Sequence, residues 1–487
     1  MIAVLLNKQD FEYDVHSLIR AFYPGVDVHI FYEETEITEA YEKKFVIMYE
    51  QDRIEITILD ENGQKIAQDQ VEVTYYADRK ETKNHLKQLL YRMISQMKQE
   101  TLPWGTLTGI RPTKIPMAML EQGKKNSEIA QYMRDTYYTS KEKTALSIAI
   151  ANKERHILQD LDYQKGYSLY VGIPFCPSIC LYCSFSSSPI SVWKDKVDAY
   201  LDALCKEIEY GAKEYADRKL DTVYIGGGTP TTLMPEQMDR LLSKLEECFD
   251  MKHILEYTVE AGRPDSITRE KLQVLKDHHV SRISINPQTM NQKTLDLIGR
   301  RHTVEETKAA FFMAREMGFD NINMDLIVGL PGEEKEDVEQ TLKEVIRLDP
   351  DSITVHSLAV KRAARLSMFK DQYKEMTFTN NMEIMNMTAQ YAADAGMFPY
   401  YLYRQKNMAG NFENVGYAKE GKGGIYNILI MEEVQSILAL GAGASTKMVL
   451  ASDRIERIEN VKDIKNYIER IDEMIERKRQ GFMKYGK

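Results

Sequence analysis

Three cysteines lie close together in one short stretch of the chain, GIPFCPSICLYCSF, which runs from Gly172 to Phe185. Cys176, Cys180 and Cys183 have the spacing C-x3-C-x2-C, and the whole chain of 487 residues contains only 5 cysteines. Thiolates in one short loop can bind an inorganic cluster, and three of them suit a [4Fe-4S] cluster in which one iron has no protein ligand. The spacing therefore predicts an iron–sulfur centre with one iron open to another molecule.

Two other interpretations of these cysteines stay open. Zinc prefers four closed ligands, and the sequence offers no second cysteine pair and no histidine at a ligand spacing from the loop. Three unrelated thiols are the other alternative, and the spacing and the preceding strand argue against it. The remaining cysteines, Cys205 and Cys248, fall in helical sequence and are interpreted as small core residues.

A glycine-rich turn, GGGTP, spans Gly226 to Pro230 after the next predicted strand. Gly227 and Gly228, followed by Thr229, allow backbone amides to approach a polar ligand without a Cβ in the way. A tight turn from strand to helix explains such a run equally well.

Polar residues also interrupt later strands. Glu260 ends one strand and Asp325 lies within the apolar run INMDLIVGL, and a buried carboxylate needs a partner or a ligand. Gln288 ends another strand but is also typical of a turn, and Arg300 is also typical of a basic helix end. Tyr170 lies on a strand, where a core tyrosine is the usual outcome.

These residues fall within a repeating pattern of elements. From about residue 168, helical stretches separate six short apolar segments: SLYVGI, DTVYIGGG, EYTVEAG, RISINPQ, INMDLIVGLPG and DSITVHSL. Strands that are each followed by a crossover helix predict an α/β fold with a parallel sheet, curled into a partial or full barrel. An α/β barrel gathers its site at the carboxyl ends of the strands, where these motifs lie.

The remaining sequence is divided around this barrel. We predict an α+β module over residues 1–100, a loop and helical connector over 101–165, a partial barrel over 166–395 and a mainly helical C-terminal region over 396–487. In the first module, KFVIMYE and RIEITILD alternate like half-buried strands, and an Asn-Gly pair predicts a hairpin after the second. The charged C-terminal stretch KDIKNYIERIDEMIERKRQ is interpreted as a solvated helical face.

Composition argues against several classes of protein. A net charge of −10 is unfavourable for a general nucleic-acid binder. The sequence has no run of about 18 apolar residues that could cross a membrane, and the start MIAVLL is predicted to be a strand because it lacks the basic leader of a signal peptide. The few cysteines favour a reducing, cytoplasmic setting. We expect a monomer without nucleic-acid or membrane partners.

The cysteine spacing, with the aromatic Tyr182 before the last cysteine, resembles that of the radical S-adenosylmethionine enzymes. The segments LYVGIPFC, GGGTPT, EAGRPD, NPQ, GRRH and NMDLIVGLPG further resemble the oxygen-independent coproporphyrinogen III oxidases and their relatives, in the branch with an N-terminal extension. The resemblance covers residues 168–450 and implies a partial (β/α)6 radical-SAM barrel, with a C-terminal region that covers the substrate.

The resemblance also implies the cofactors and their contacts. The three cysteines would hold a [4Fe-4S] cluster, and S-adenosylmethionine would bind the open iron, with one or two molecules per chain. The implied contacts are Tyr170, Tyr182, Gly227, Gly228, Thr229 and Glu260 near the cluster, and Gln288, Arg300, Asp325 and Ala359 around a second S-adenosylmethionine. An electron from an unidentified donor would yield a 5′-deoxyadenosyl radical. Two propionates of coproporphyrinogen III would then become vinyl groups, giving protoporphyrinogen IX for heme synthesis.

A tetrapyrrole with four carboxylates needs cationic anchors. The candidates are Lys361, Arg362, Arg365, Arg404 and Lys406, with Tyr400, Tyr401 and Tyr403 as rings that could stack on the macrocycle. Each cation could equally be a solvated surface charge, and each ring could equally be core.

Two departures from the oxidases keep a second function open. The characterised oxidases carry a fourth cysteine where this chain has Phe185, and a histidine where it has Gly172. Relatives that act as heme-binding chaperones also lack the fourth cysteine, but their His-Asn pair corresponds here to Tyr426-Asn427. We expect an oxidase, with a heme-binding and transfer chaperone or a radical enzyme on another substrate as the alternatives.

Overall fold

Two units make up the chain in this computed structural model. The described residues are 1–73, 76, 78–159, 161–163, 165–359, 364–368, 377–405, 412–450 and 454–486. The first unit comprises residues 1–152 with 410–412, and the second comprises residues 153–409 with 413–487. No helix in these ranges combines the length and the apolar character needed to cross a membrane.

The first unit is an α+β module. Its strands are β1 (Ile2–Leu6), β2 (Val28–Phe31), β3 (Lys43–Tyr49), β4 (Arg53–Asp60) and β5 (Lys65–Glu72). Its helices are α1 (Glu12–Phe22), α2 (Arg79–Lys98), α3 (Lys114–Glu121) and α4 (Asn126–Tyr137), and α5 (Lys141–Leu158) begins in it. The sheet order is β2-β1-β3-β4-β5, and β4 and β5 form the predicted hairpin. Leucine and methionine side chains of α2 belong to the same apolar core as the inward face of this sheet.

The second unit carries the βα repeat. Its strands are β6 (Gly166–Ile173), β7 (Phe175–Cys176), β8 (Ser188–Pro189), β9 (Lys219–Gly227), β10 (Glu256–Glu260), β11 (Arg282–Ser284), β12 (Ile322–Val328), β13 (Ser352–Ser357), β14 (Phe398–Tyr403), β15 (Asn414–Ala418), β16 (Ser436–Leu440), β17 (Ser445–Val449) and β18 (Ile455–Glu459). Its helices are α6 (Ile190–Trp193), α7 (Val197–Glu214), α8 (Pro235–Cys248), α9 (Arg269–Asp277), α10 (Gln292–Leu297), α11 (Val304–Glu316), α12 (Lys335–Arg347), α13 (Arg365–Met368), α14 (Met382–Asp394), α15 (Ile425–Glu432), α16 (Ile464–Glu469) and α17 (Ile471–Tyr485).

One mixed sheet organises this unit, in the order β14-β15-β13-β12-β11-β10-β9-β6-β16-β17-β18. The six predicted strands are β6 and β9 to β13, which pair in parallel with their neighbours in chain order. Their apolar runs are buried, as expected for parallel strands covered by helices. The predicted α/β class, with six parallel strands in chain order, is therefore confirmed.

The region after residue 396 adds strands to both ends of this sheet. Helices α15, α16 and α17 lie there, and β14 to β18 accompany them. β15 pairs antiparallel with β13, and β16 pairs in parallel with β6. These strands are not evident from the sequence because each has only 5 or 6 residues. In addition, β15 and β16 pair with strands that lie far from them in the sequence, β13 and β6.

The charged C-terminal tail is not the solvated face that its composition predicted. It forms α16 and α17, and Lys478 of α17 has a side chain that is 0% exposed, as does its partner Glu207 of α7, with the two charges 2.8 Å apart. Asn460 also donates to the Glu207 carboxylate at 2.7 Å, as does the Tyr467 hydroxyl at 2.6 Å and the Gly441 amide at 2.8 Å. We call these five residues the Glu207 cluster. It binds the last helices to the sheet, so one side of the tail is buried.

Candidate active site

One cavity of about 230 Å³ lies at the carboxyl ends of the parallel strands. The residues predicted for the site lie around it, with the exception of Tyr170. They are Cys176, Cys180, Tyr182, Cys183, Gly227, Gly228, Thr229, Glu260, Gln288, Arg300, Asp325 and Ala359. The sheet thus brings together residues that are widely separated in the sequence, as the rule for α/β barrels anticipates.

Hydrogen bonds hold the cysteine loop at its ends and in its middle. β7 and β8 pair across it, so Cys176 lies at the point where the loop begins. In the middle, the Leu181 amide donates to the Ile298 carbonyl at 2.9 Å, and the Cys183 amide donates to the Cys180 carbonyl at 3.2 Å. The positions of the three thiols therefore follow from the backbone.

The thiols fit a cluster better than a single metal ion. Among the described residues, no group of three or more His, Cys, Asp or Glu side chains could hold one metal ion. A [4Fe-4S] cluster does not require such convergence because each thiolate binds a different iron. Burial raises the pKa of Cys176 and raises the pKa of Cys183 to about 11, so these thiols need a nearby cation or metal in order to ionise.

The glycine turn packs directly against the strand that leads into the cysteine loop. The Gly228 amide donates to the Ile173 carbonyl at 2.7 Å, and the Thr229 amide donates to the Phe175 carbonyl at 2.7 Å. A Cβ on Gly228 would lie 2.5 Å from the Phe175 carbonyl oxygen. These two amides therefore donate within the close backbone packing, and contacts of Gly227, Gly228 and Thr229 with a cofactor stay a prediction. The Thr229 hydroxyl instead donates to the sulfur of Cys176 at 3.5 Å.

Glu260 is a half-buried carboxylate at the end of β10. The Tyr224 hydroxyl donates to its Oε1. Burial raises the pKa of Glu260 to about 7, and the charge of Asp325 adds to this, although the hydrogen bonds from Tyr224 and the Gly227 amide partly oppose it. The carboxyl can therefore hold or release a proton near neutral pH.

Asp325, on β12, behaves differently. Asn323 donates to its Oδ1 at 2.7 Å, and His356 Nε2 lies 3.7 Å from its Oδ2. Burial alone would raise the pKa of Asp325, but the hydrogen bonds and charge of His356, together with Asn323 and Thr354, lower it. Asp325 is thus a fixed negative charge at pH 7.

Gln288 has a backbone conformation that is uncommon for a residue with a side chain, with φ of 67°. Its amide donates to the Asp325 carbonyl at 2.9 Å, and its carbonyl accepts from the Ile327 amide at 2.9 Å. Its side-chain oxygen is buried at the cavity and has no hydrogen-bond partner among the described residues. An orphaned buried oxygen of this kind suits a ligand that donates a hydrogen bond.

Two buried guanidinium groups border the cavity. Arg300 donates to the backbone carbonyls of Asn286 and Pro287, so it is not a solvated helix end. Arg263, which the residue-by-residue interpretation missed although it lies in the EAGRPD segment, contacts the cysteine loop. Two positive charges beside three thiols balance the charge of a thiolate-bound cluster, so the residues present fit this cofactor.

The predicted aromatic contacts divide between core and cavity. Tyr170 stacks on Tyr224 at 6.3 Å between ring centroids, and Tyr224 stacks on Tyr426 at 4.5 Å. Tyr400 and Tyr401 are buried in an apolar cluster beneath the sheet end. Tyr403 does line the cavity, as does His356, whose Nδ1 lies 3.4 Å from the Tyr403 hydroxyl.

The candidate anchors for carboxylates are only partly described. Arg404 is buried beside Glu413. Burial lowers the pKa of the Arg404 guanidinium to about 10, and the negative charge of Glu413 partly opposes this shift. Arg365 of α13 is exposed and is not among the cavity residues. Lys361, Arg362 and Lys406 lie outside the described residues. Cys205 and Cys248, on α7 and α8, are partly buried free thiols.

Four similarities to known proteins bear on this site. Residues 170–345 match the model of the radical SAM superfamily. The oxygen-independent coproporphyrinogen-III oxidase-like protein HemZ of Bacillus subtilis is 41% identical over 405 residues, which cover 82% of this chain and 81% of that protein.

The other two relatives carry two different functions in their names. The heme chaperone HemW of Bacillus subtilis is 38% identical over 195 residues, which cover 40% of this chain and 51% of the chaperone, or about half its length. The solved structure of coproporphyrinogen III oxidase (HemN) from Escherichia coli, described as a radical SAM enzyme, has a TM-score of 0.51 and 26% identity, and the match covers 66% of this chain and 73% of that one.

Proposed function

Because this chain belongs to the radical S-adenosylmethionine superfamily, in the family of the oxygen-independent coproporphyrinogen III oxidases, we propose that it is an oxidase that converts two propionates of coproporphyrinogen III to vinyl groups. Membership implies a [4Fe-4S] cluster and S-adenosylmethionine as cofactors. One observation carries the proposal: the cysteine loop and the polar strand ends line a single cavity.

Cys176, Cys180 and Cys183 would hold the cluster. When bound, the cluster and S-adenosylmethionine supply a carbon radical that removes hydrogen from carbon. The chain's own contribution is to position these groups and to keep water away from them. The cavity wall at the ends of β9, β10, β12 and β13 serves both purposes, because these parallel strands are largely buried.

The two carboxylates have separate roles in this proposal. Glu260, with a pKa of about 7, would accept a hydrogen bond from the ammonium group of S-adenosylmethionine and could share its proton. Asp325, held ionised by His356, would contact a second S-adenosylmethionine together with Gln288 and Arg300. We propose that Ala359 also contacts this second S-adenosylmethionine. Tyr224 would hold the Glu260 carboxylate in place through its hydroxyl, and Tyr170 would hold the Tyr224 ring by stacking on it.

The proposed division of the chain follows from this site. Residues 166–395 would carry the radical chemistry and residues 396–487 would cover the substrate, with 1–100 and 101–165 as accessory segments. An electron donor from another protein would supply the reducing equivalents. We propose that the chain works as a monomer in the cytoplasm.

The test is an anaerobic turnover assay. Protein reconstituted with iron and sulfide is incubated with dithionite, S-adenosylmethionine and coproporphyrinogen III, and we expect protoporphyrinogen and 5′-deoxyadenosine. Cys180→Ser should lose cluster and products together, whereas Cys205→Ser should keep both. Absence of both products from protein with an intact cluster would contradict the proposal. Deoxyadenosine without porphyrinogen turnover would indicate another substrate.

A heme-binding and transfer chaperone is the second candidate, favoured by Phe185 in place of a fourth cysteine and by the similarity to HemW. Phe185 is 73% exposed at the cavity. Tyr426, which stands where the chaperones have a histidine, is 5% exposed and covered by Tyr224, which disfavours it as a heme ligand. Tight stoichiometric heme binding without porphyrinogen turnover would support the chaperone.

A further inference from the structure

Arg263 is a buried cation beside the cysteine loop that the proposed reaction leaves without a role. Its side chain is 3% exposed. Nε and Nη2 donate to the two carboxylate oxygens of Asp265 at 2.9 and 2.8 Å. The remaining nitrogen, Nη1, lies 3.1 Å from the Ser178 hydroxyl, 3.3 Å from the Ser178 carbonyl and 3.7 Å from the sulfur of Cys180. Since a guanidinium stays protonated in proteins, Cys180 has a permanent positive charge beside it.

The surroundings of Arg263 fix this geometry. Its backbone carbonyl accepts hydrogen bonds from the Ser266 amide at 2.9 Å and the Ser266 hydroxyl at 2.7 Å. Behind Asp265 lies His302, with Nδ1 3.8 Å from the carboxylate. Burial, helped by the charge of Arg300, lowers the pKa of His302 to about 4, so the ring is neutral at pH 7 and leaves the Asp265 charge to Arg263.

The three cysteines receive unequal donors. Cys176 accepts from neutral hydroxyls, those of Thr229 and Ser187. Cys183 accepts from the backbone amide of Phe185. Cys180 alone of the three has the Arg263 contact, and Arg300 also faces it. Hydrogen bonds and positive charge at a cluster sulfur favour the reduced form, because reduction adds negative charge.

We propose that Arg263, positioned by Asp265, sets the reduction potential of the cluster through the sulfur of Cys180. The charge makes it easier for a one-electron donor to reduce the cluster, and the carboxylate of Asp265 moderates that effect. The inference rests on the cluster that family membership implies, and not on the tetrapyrrole substrate. A turnover assay that fails therefore leaves it standing.

The test is a redox titration of reconstituted full-length protein with dithionite, followed by the electron paramagnetic resonance signal of the reduced cluster. Arg263→Gln should lower the equilibrium constant for reduction at least tenfold, which for one electron is about 59 mV. Asp265→Asn should shift the potential upward, because it removes a negative charge and keeps Arg263. Arg269→Gln is the control and should stay near the wild type, because it removes only an exposed ion pair between Arg269 of α9 and Glu316 of α11.

Iron and sulfide content separate the outcomes. Full cluster content in Arg263→Gln with an unchanged potential would mean that Arg263 only holds the loop through Ser178, and the proposal would be overturned. If Arg263→Gln does not retain the cluster, Asp265→Asn decides: an upward shift supports the proposal, and no shift or a downward shift overturns it.

Discussion

Two carboxylates of the second unit, the buried Glu207 and the half-buried Glu260, meet opposite conditions. Glu207 has an ammonium, an amide side chain, a phenol and a backbone amide around its two oxygens, and its side chain is 0% exposed. Glu260 has one phenol and one backbone amide, faces a second carboxylate, and among the described residues forms no ion pair with Lys or Arg. The fold itself satisfies the first group, whereas the second lies at a cavity where a ligand can complete its contacts.

This contrast separates structural charge from functional charge. Both residues are costly to bury without partners. The Glu207 cluster meets that cost within the protein, which ties α16 and α17 to α7. The partners of Glu260 do not fully compensate for its burial, so its pKa is raised. Raised pKa values of this kind are common at functional sites.

The largest expected effect comes from breaking the Glu207 cluster. Lys478→Met leaves the Glu207 carboxylate buried without its cation, so we expect the free energy of unfolding to fall by about 3–5 kcal/mol. Arg479→Met, one position along the same helix, removes only an exposed ion pair with Glu476 and should cost far less, because water screens exposed charges. Urea unfolding followed by circular dichroism measures both, and equal losses would contradict the distinction.

A smaller effect is expected at Glu260, and it depends on pH. Its pKa is about 7 when the protein is folded, against an ordinary pKa of 4.5 for a glutamic acid. As pH rises between these values, the unfolded chain loses the proton and the folded chain keeps it, so the folded state loses stability and stays less stable above pH 7. Glu260→Gln has no titrating group at this position, so its free energy of unfolding should not fall in this way. For a carboxyl without contact with water, the pKa shift corresponds to a loss of about 3 kcal/mol in the free energy of unfolding. Screening by water in the cavity reduces this loss to about 2 kcal/mol.

The measurement compares wild type and Glu260→Gln in urea at pH 5 and pH 8, with cluster-free protein. The variant should gain stability relative to the wild type at pH 8. If the difference between the two proteins were the same at both pH values, Glu260 would not titrate as the structure indicates.

The smallest expected effect concerns the hydroxyl that supports Glu260. Tyr224→Phe keeps the stacked rings but removes the donor to the carboxylate, so the pKa of Glu260 should rise further and stability at pH 8 should fall by about 1 kcal/mol. At pH 5 the loss should be smaller. Tyr257→Phe is the matched control, because the Tyr257 hydroxyl is buried and has no hydrogen-bond partner among the described residues. Equal, pH-independent effects of the two variants would show that the hydroxyl does not serve Glu260.

Sequence reasoning found the elements whose signals are local. The six parallel strands could be predicted because each is a short apolar run followed by its own helix. Strands β16 to β18 could not, since β16 is completed by β6, which lies far back in the chain. The inward face of α17 was missed for a similar reason: Lys478 is one charge among many until Glu207 is brought opposite it.

The same limit applies within the candidate site. Cysteine spacing and carboxylates at strand ends are visible in the sequence, and the structure places these residues at one cavity. Tyr224 and His356 are ordinary strand residues until neighbouring strands bring Glu260 and Asp325 beside them. Arg263 had a weak signal, as a charged residue just after a buried strand. At Gly228 the sequence signal is ambiguous in another way: the glycine is required for close packing of the backbone, and its amide donates to the Ile173 carbonyl.

The position of β6 has a consequence for the order of synthesis. The strand that leads into the cysteine loop pairs with β9 on one side and with β16 on the other. A growing chain exposes β6 and the cysteine loop that follows it long before Ser436–Leu440 has been made. The hydroxyl of Tyr200, which donates to Gly172 at 2.7 Å and accepts from Ala442 at 3.0 Å, is likewise completed late. The frame around the loop is completed only after Ser436–Leu440 and Ala442 have been synthesised, so iron is expected to enter after these residues have been made.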